Sequence, residues 1–171
     1  GEWSGEEFAD EWFTTRGLRF MGGGSWNRWL RMWVNGKVGE ALLYDEDDPT
    51  VGQRTALSVD TGIQATRFLR VSPQVSWEQF TDNGAPVYSG LVGRLKIEAF
   101  ATPVHWFRFI VDQSTFSGTS SQEALFAWER SPGTALYIGG HTRIVRGSED
   151  DPVSNPERDW TAFTKLSWVF N

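Results

Sequence analysis

The sequence predicts an all-β protein with about ten antiparallel strands in up-and-down order, and three observations carry that prediction. Apolar residues recur with period two, and helical periodicity is nearly absent. Aromatics make up 15% of the chain, ten of them tryptophans, beside 18 glycines; strands favour the former and turns the latter. Tight turn signals also alternate with longer polar connections along the chain.

At 171 residues and 19.3 kDa the chain suits one domain over 1–171, of which 1–25 is the least defined part. No run approaches 18 apolar residues, which excludes a transmembrane helix. The absence of cysteine excludes disulfides, thiolate metal sites and a Cys nucleophile. A net charge of -6 argues against nucleic acid as a partner. The stretch Gly1–Glu7 is acidic and lacks the charged-then-apolar pattern of a targeting segment.

Each strand is expected from its alternation. Segment 26–34 is ambiguous, because Arg28 and Arg31 spoil both parities. Residues 54–66 set Leu57, Val59 and Ile63 against Ser58, Asp60 and Gln64. Residues 93–99 set Leu95, Ile97 and Ala99 against Arg94, Lys96 and Glu98. In 122–130, Ala124, Phe126 and Trp128 share a side opposite Glu129. In 135–146, Leu136, Ile138 and Ile144 oppose Tyr137, His141 and Arg143. The last run places Trp160, Ala162, Thr164, Leu166, Trp168 and Phe170 on one face, with Phe163 and Val169 as exceptions on the other.

Tight reversals are expected at Asn35-Gly36, near Arg67–Arg70, at Thr102-Pro103 and at Ser131–Thr134. Longer connections are expected over 45–52, 81–86, 114–121 and 147–159. Short turns on one rim and longer loops on the other mark an antiparallel up-and-down transmembrane β-barrel, closed alone or as part of a larger barrel. Aromatics gather near both rims: Trp33, Phe68, Phe100, Trp106, Trp128, Trp168 and Phe170 by the short turns, and Trp26, Tyr44, Tyr88, Phe116 and Trp160 by the long loops. Trp106, Trp128, Trp160, Trp168 and Phe170 are the candidate membrane-interface aromatics.

A soluble lipocalin-like barrel binding a small apolar ligand is the alternative, since it shows the same alternation with its faces exchanged. Its Gly-x-Trp signature has loose matches at Gly1-Glu2-Trp3 and Gly24-Ser25-Trp26. Pro152 and Pro156 oppose the helix that such carriers place near the last strands.

The run 123–140, EALFAWERSPGTALYIGG, followed by 163–170, FTKLSWVF, resembles the C-terminal β-barrel region of a poorly characterised bacterial outer-membrane family. In that family a carbohydrate-binding-module-like domain precedes the barrel. The likeness is best over 90–171 and weakest before residue 54. It implies residence in the bacterial outer membrane and carries over no catalytic residue. The preceding domain is missing here, so sugar binding does not transfer. The final strand also resembles the closing signal read by the barrel-assembly machinery, with Phe170 penultimate.

Catalysis is not expected. His105 and His141 stand alone, without metal-ligand spacing, and no Gly-x-Ser-x-Gly elbow occurs. Arg94, Lys96, Glu98, Arg143 and Lys165 are the candidate lumen-lining residues, with Glu78, Arg108, Asp112 and Glu129 on the same polar faces. In a narrow interior such charges should pair; a selective pore lined by Arg94, Lys96 and Arg143 is the functional alternative. The acidic loops offer weak metal candidates in Asp45, Asp47, Asp48, Asp150 and Asp151, although they lack EF-hand spacing. No cofactor is expected. The expected partners are membrane lipids, the barrel-assembly machinery during biogenesis and other membrane-protein subunits. The expected role is a membrane scaffold, anchor or narrow porin-like transport element.

Overall fold

The computed structural model describes residues 2–8, 11–43, 50–131, 134–146 and 157–168. They form one continuous antiparallel sheet of ten strands in sequence order. The strands are β1 (Glu2–Phe8), β2 (Glu11–Ser25), β3 (Leu30–Leu43), β4 (Thr50–Thr66), β5 (Leu69–Asp82), β6 (Ala85–Thr102), β7 (His105–Ser114), β8 (Thr119–Ser131), β9 (Thr134–Val145) and β10 (Glu157–Ser167). The all-β, up-and-down expectation is thus met. Among the described residues no pairing joins β1 to β10, and the sheet has two edges.

Several turns fall elsewhere than the sequence suggests. Asn35-Gly36 is not a hairpin; both residues lie inside β3, paired with Met21 and Phe20 on β2 and with Ser58 and Leu57 on β4. The chain has already reversed at Trp26–Trp29, where Asn27 Oδ1 accepts the N–H groups of Trp29 and Leu30 at 2.7 and 2.9 Å. That side chain supplies the turn, which dissolves the ambiguity of segment 26–34. It also moves Trp26 from the long-loop rim to the short-turn rim. The true Asn-Gly turn is Asn83-Gly84, with φ of 46° and 82°. Both residues occupy the left-handed region that a primed two-residue turn requires. The expected long connection over 81–86 is therefore a tight hairpin, and the alternation of loop lengths is not strict. The reversals at Arg67-Phe68 and Pro103-Val104 agree with the sequence to within a residue or two.

Gly36 has a different reason for being glycine. The Phe20 ring lies across it from the neighbouring strand, so that a Cβ would collide with the ring. Phe163, the apolar exception on β10, does the same to Gly139, whose Cβ would stand 2.7 Å from Phe Cζ. Aromatic cover of this kind offsets the poor strand propensity of glycine.

The register defines two faces, because paired residues in an antiparallel ladder point the same way. One row of partners runs Leu30, Ile63, Val71, Ile97, Phe109, Ala124, Gly140, Ala162 from β3 to β10. Every residue in it is apolar or glycine. Two residues toward the short turns, Leu69, Ala99, Phe107, Phe126, Ile138 and Thr164 form the next row. Along the regularly paired parts of β4 to β9 this face carries no charged side chain. From β2 to β10 the charges that share it in the regular ladders, Arg16, Glu40 and Arg158, lie on β2, β3 and β10.

The row also drifts. Leu30 is the first residue of β3, while Gly140 lies six residues beyond the start of β9, six strands on. One residue of stagger per strand, at about 3.3 Å rise and 4.8 Å spacing, tilts the strands by roughly 35°. That is the tilt at which sheets close into barrels. From Leu91 to Ala99 on β6 the uncharged band then stands about 22 Å tall, close to the roughly 25 Å apolar belt of outer-membrane barrels.

Candidate functional site

The opposite face carries the chemistry. Arg94, Lys96 and Glu98 project from β6 in alternation with Leu95 and Ile97, and their partners on β5 and β7 are polar or charged except Ile110, opposite Lys96. Burial favours this face as the inner one, although Leu42 on the uncharged face is buried and Trp33 and Val92 on the charged face are exposed. Phe80, Ile110, Leu125, Ala127 and Ala135, all on it by register, are buried, whereas Leu57, Val75, Leu91, Phe107 and Ile138 on the uncharged face are exposed. Cavities of about 640 and 420 Å³ open on the charged face.

The charges pair across strands. Arg54 Nη2 donates to Glu78 Oε2 at 2.6 Å, and the Tyr88 hydroxyl donates to Glu78 Oε1 at 2.7 Å. Phe80 stacks on Tyr88 with ring centroids 5.7 Å apart. Arg108 Nη2 donates to Glu123 Oε1 at 2.7 Å, and Arg94 Nε stands 3.5 Å from Asp112 Oδ1. Glu98 Oε2 lies 3.3 Å from Lys96 Nζ and 3.9 Å from Arg70 Nη1, with hydrogen-bond alignment to neither. Each pair is partly exposed, so each stabilises only modestly. Their common effect is to offset part of the charge in the middle of the inner face.

Four of the five candidate lumen residues sit in this network or its rows. Arg94, Lys96 and Glu98 are joined as just described. Arg143 is in register with Ser121 and Asp159. Lys165 is opposite Tyr137, whose hydroxyl donates to Glu129 at 2.8 Å. Arg31, Arg54, Arg70 and Tyr88 belong to the same surface but were not among the candidates. Their partners lie on other strands, and only the register reveals them.

Of the candidate interface aromatics, Trp128 and Trp160 lie on the uncharged face, Trp160 with 79% of its surface exposed. Trp168 follows the end of β10 and is also exposed. Trp106 lies instead on the inner face, opposite Phe100, with the Arg108 guanidinium 6.0 Å from its ring. Phe170, Tyr44, Val169 and the metal candidates Asp45, Asp47, Asp48, Asp150 and Asp151 lie outside the described residues. Among the described residues no group of His, Asp or Glu could hold a metal ion. His105 is occupied at the short-turn rim, its Nδ1 2.8 Å from Thr102 Oγ1. His141 faces Glu123 in register and has neither serine nor cysteine directly opposite.

No protein-family model matches this sequence, no curated protein matches it, and no solved structure matches its fold. The resemblance drawn on 123–140 and 163–170 rests on those residues alone.

Proposed function

We propose that this chain is a non-enzymatic β-barrel of the bacterial outer membrane, serving as a scaffold, anchor or narrow transport element. The observation that carries this reading is the uncharged, largely apolar face running from β4 to β9. Six strands at about 4.8 Å spacing and a band about 22 Å tall give roughly 630 Å² of contiguous uncharged surface. Soluble monomers rarely expose patches larger than about 300–600 Å². Lipid tails would cover such a face at no cost in lost hydrogen bonds, since the backbone groups are satisfied within the sheet. The polar pairs would then face a lumen, where water and neighbouring charges solvate them.

Membrane lipids are the partners this reading implies, with the assembly machinery acting during insertion. Further membrane subunits could pair with the two edges at β1 and β10. A soluble lipocalin-like carrier needs the reverse arrangement, with Leu95, Ile97 and Phe126 inside and the charges outside. The burial of Phe80, Ile110 and Leu125 on the charged face supports the membrane reading instead.

Refolding tests the proposal. The full chain, diluted from denaturant into detergent micelles, should gain β circular dichroism and migrate differently on gels with and without boiling. In plain buffer it should aggregate. A monodisperse β fold in buffer would sink the membrane reading and promote the carrier.

A further inference from the structure

We propose that the short-turn half of the inner face, on β3 to β6, binds a small, multiply charged anion of the carboxylate or phosphate class. Two adjoining cavities of about 420 and 530 Å³ share Arg31 and Gly62. The first is also lined by Arg94 and Lys96, with Asp60 as its one acid. The second is also lined by Arg28 and Arg70 and by no acid. The carboxylates that approach these cations, Glu98 and Asp112, line neither cavity.

The cations are spare to different degrees. Lys96 and Arg70 approach the same oxygen of Glu98, at 3.3 and 3.9 Å. One carboxylate oxygen cannot neutralise two cations, so charge remains at the cavity wall. Arg31 makes no ion pair among the described residues. Its guanidinium lies against Gly62, with Nη2 3.4 Å from where a Cβ would stand. A Cβ at position 62 would just touch the guanidinium, and a longer side chain would compete with it for this place. Arg28 lies over the Trp29 ring at 4.4 Å, a contact that holds a guanidinium while leaving its edge N–H groups open to a ligand.

Five cations stand against three acids here, Asp60, Glu98 and Asp112, in a chain whose net charge is -6, so composition does not account for the cluster. On the same face β8 to β10 are biased the other way, with Glu123, Glu129, Glu157 and Asp159 against Arg143 and Lys165. Halves of one face that differ in sign draw an anion to the basic half, and low-dielectric walls strengthen the field. The cavity volumes suit a small molecule rather than a polymer. A lipid headgroup is the other source of a phosphate. It is disfavoured because Leu69, Val71 and Pro73 lie on the outer face of this region, so the cations face away from the apolar surface.

The test is a calorimetric titration of inorganic pyrophosphate into the folded full chain at low ionic strength, in whichever medium, buffer or zwitterionic micelle, gives the β fold. The site can thus fail or succeed separately from the membrane reading. Wild type should bind, and Arg31→Gln with Lys96→Gln should weaken binding at least tenfold. Asp60→Asn, which removes the repelling carboxylate, should tighten it severalfold. Arg158→Gln, on the opposite face of β10, should leave it unchanged. Because Asp60→Asn strengthens binding, lost folding cannot mimic its result. Absence of wild-type binding up to about 1 mM, or equal affinity in all four proteins, would overturn the proposal. Exchanging part of the micelle for phosphatidylglycerol should leave the affinity unchanged; competition by that lipid would overturn the free-anion assignment.

Discussion

Arg54 and Glu78 stand on adjacent strands, 24 residues apart in sequence, and meet at 2.6 Å. Tyr88 donates to the other oxygen of the same carboxylate, so β4, β5 and β6 are tied at one point of the inner face. Removing the carboxylate by Glu78→Ala leaves the Arg54 guanidinium and the Tyr88 hydroxyl without it. The expected cost is about 1–2 kcal/mol, since both charged side chains are partly exposed. Tyr88→Phe should cost about half as much. Urea unfolding in micelles, followed by tryptophan emission, measures both; a Glu78→Ala value within error of wild type would contradict this account.

The two faces predict opposite responses to charge. Leu95→Arg puts a guanidinium in the middle of the uncharged band, where an outer-membrane barrel loses about 2–4 kcal/mol. Gln74→Arg, in the adjoining inner-face row, should cost less than about 0.5 kcal/mol. Folding yield into phospholipid vesicles reads the difference directly. Equal yields would mean that neither face meets lipid.

Glycines under aromatic rings should resist substitution. Gly36→Ala and Gly139→Ala force Phe20 and Phe163 off their positions, at about 1–3 kcal/mol each. Gly93→Ala, whose Cβ would meet nothing nearer than Leu91 Cδ2 at 3.9 Å, should be close to neutral. The paired change Phe20→Leu with Gly36→Ala should recover part of the loss, a coupling that thermal unfolding of the four proteins of the cycle would show.

The two Asn-Gly pairs should behave differently. Gly84 has a φ of 82°, so Gly84→Ala strains the turn by about 1–2 kcal/mol. Asn83→Gly should be tolerated, because glycine takes positive φ at least as readily. Asn35→Gly, inside β3, should instead cost about 0.5–1 kcal/mol by weakening the strand. Equal effects at 35 and 83 would contradict the register.

Much of the architecture was legible because period-two alternation is a local signal. The faces of 54–66, 93–99 and 135–146 needed no partner to be read. What failed needed the partner. Asn35-Gly36 and Asn83-Gly84 are the same dipeptide, and only the strand beside each says which one turns. Phe163 broke the pattern of β10 because its role is set by Gly139 on β9. Arg31 looked like a defect in a strand because its use lies in a cavity shared with β4 to β6. Trp106 was read by its nearness to a turn, but its parity places it with Arg108. The ion pairs could be foreseen as a class and not as individuals, since Arg54 reaches Glu78 only through the β4–β5 register.

The central claim is that the uncharged face meets lipid and the charged face meets water. The chain has no cysteine, so single cysteines placed at each position from 91 to 99 on β6 can each carry one polarity-sensitive fluorophore without background. In phospholipid vesicles, labels at 91, 93, 95, 97 and 99 should emit to the blue and be quenched by brominated lipid. Labels at 92, 94, 96 and 98 should emit to the red and be quenched from water. The opposite alternation, or no alternation along the strand, would contradict the account.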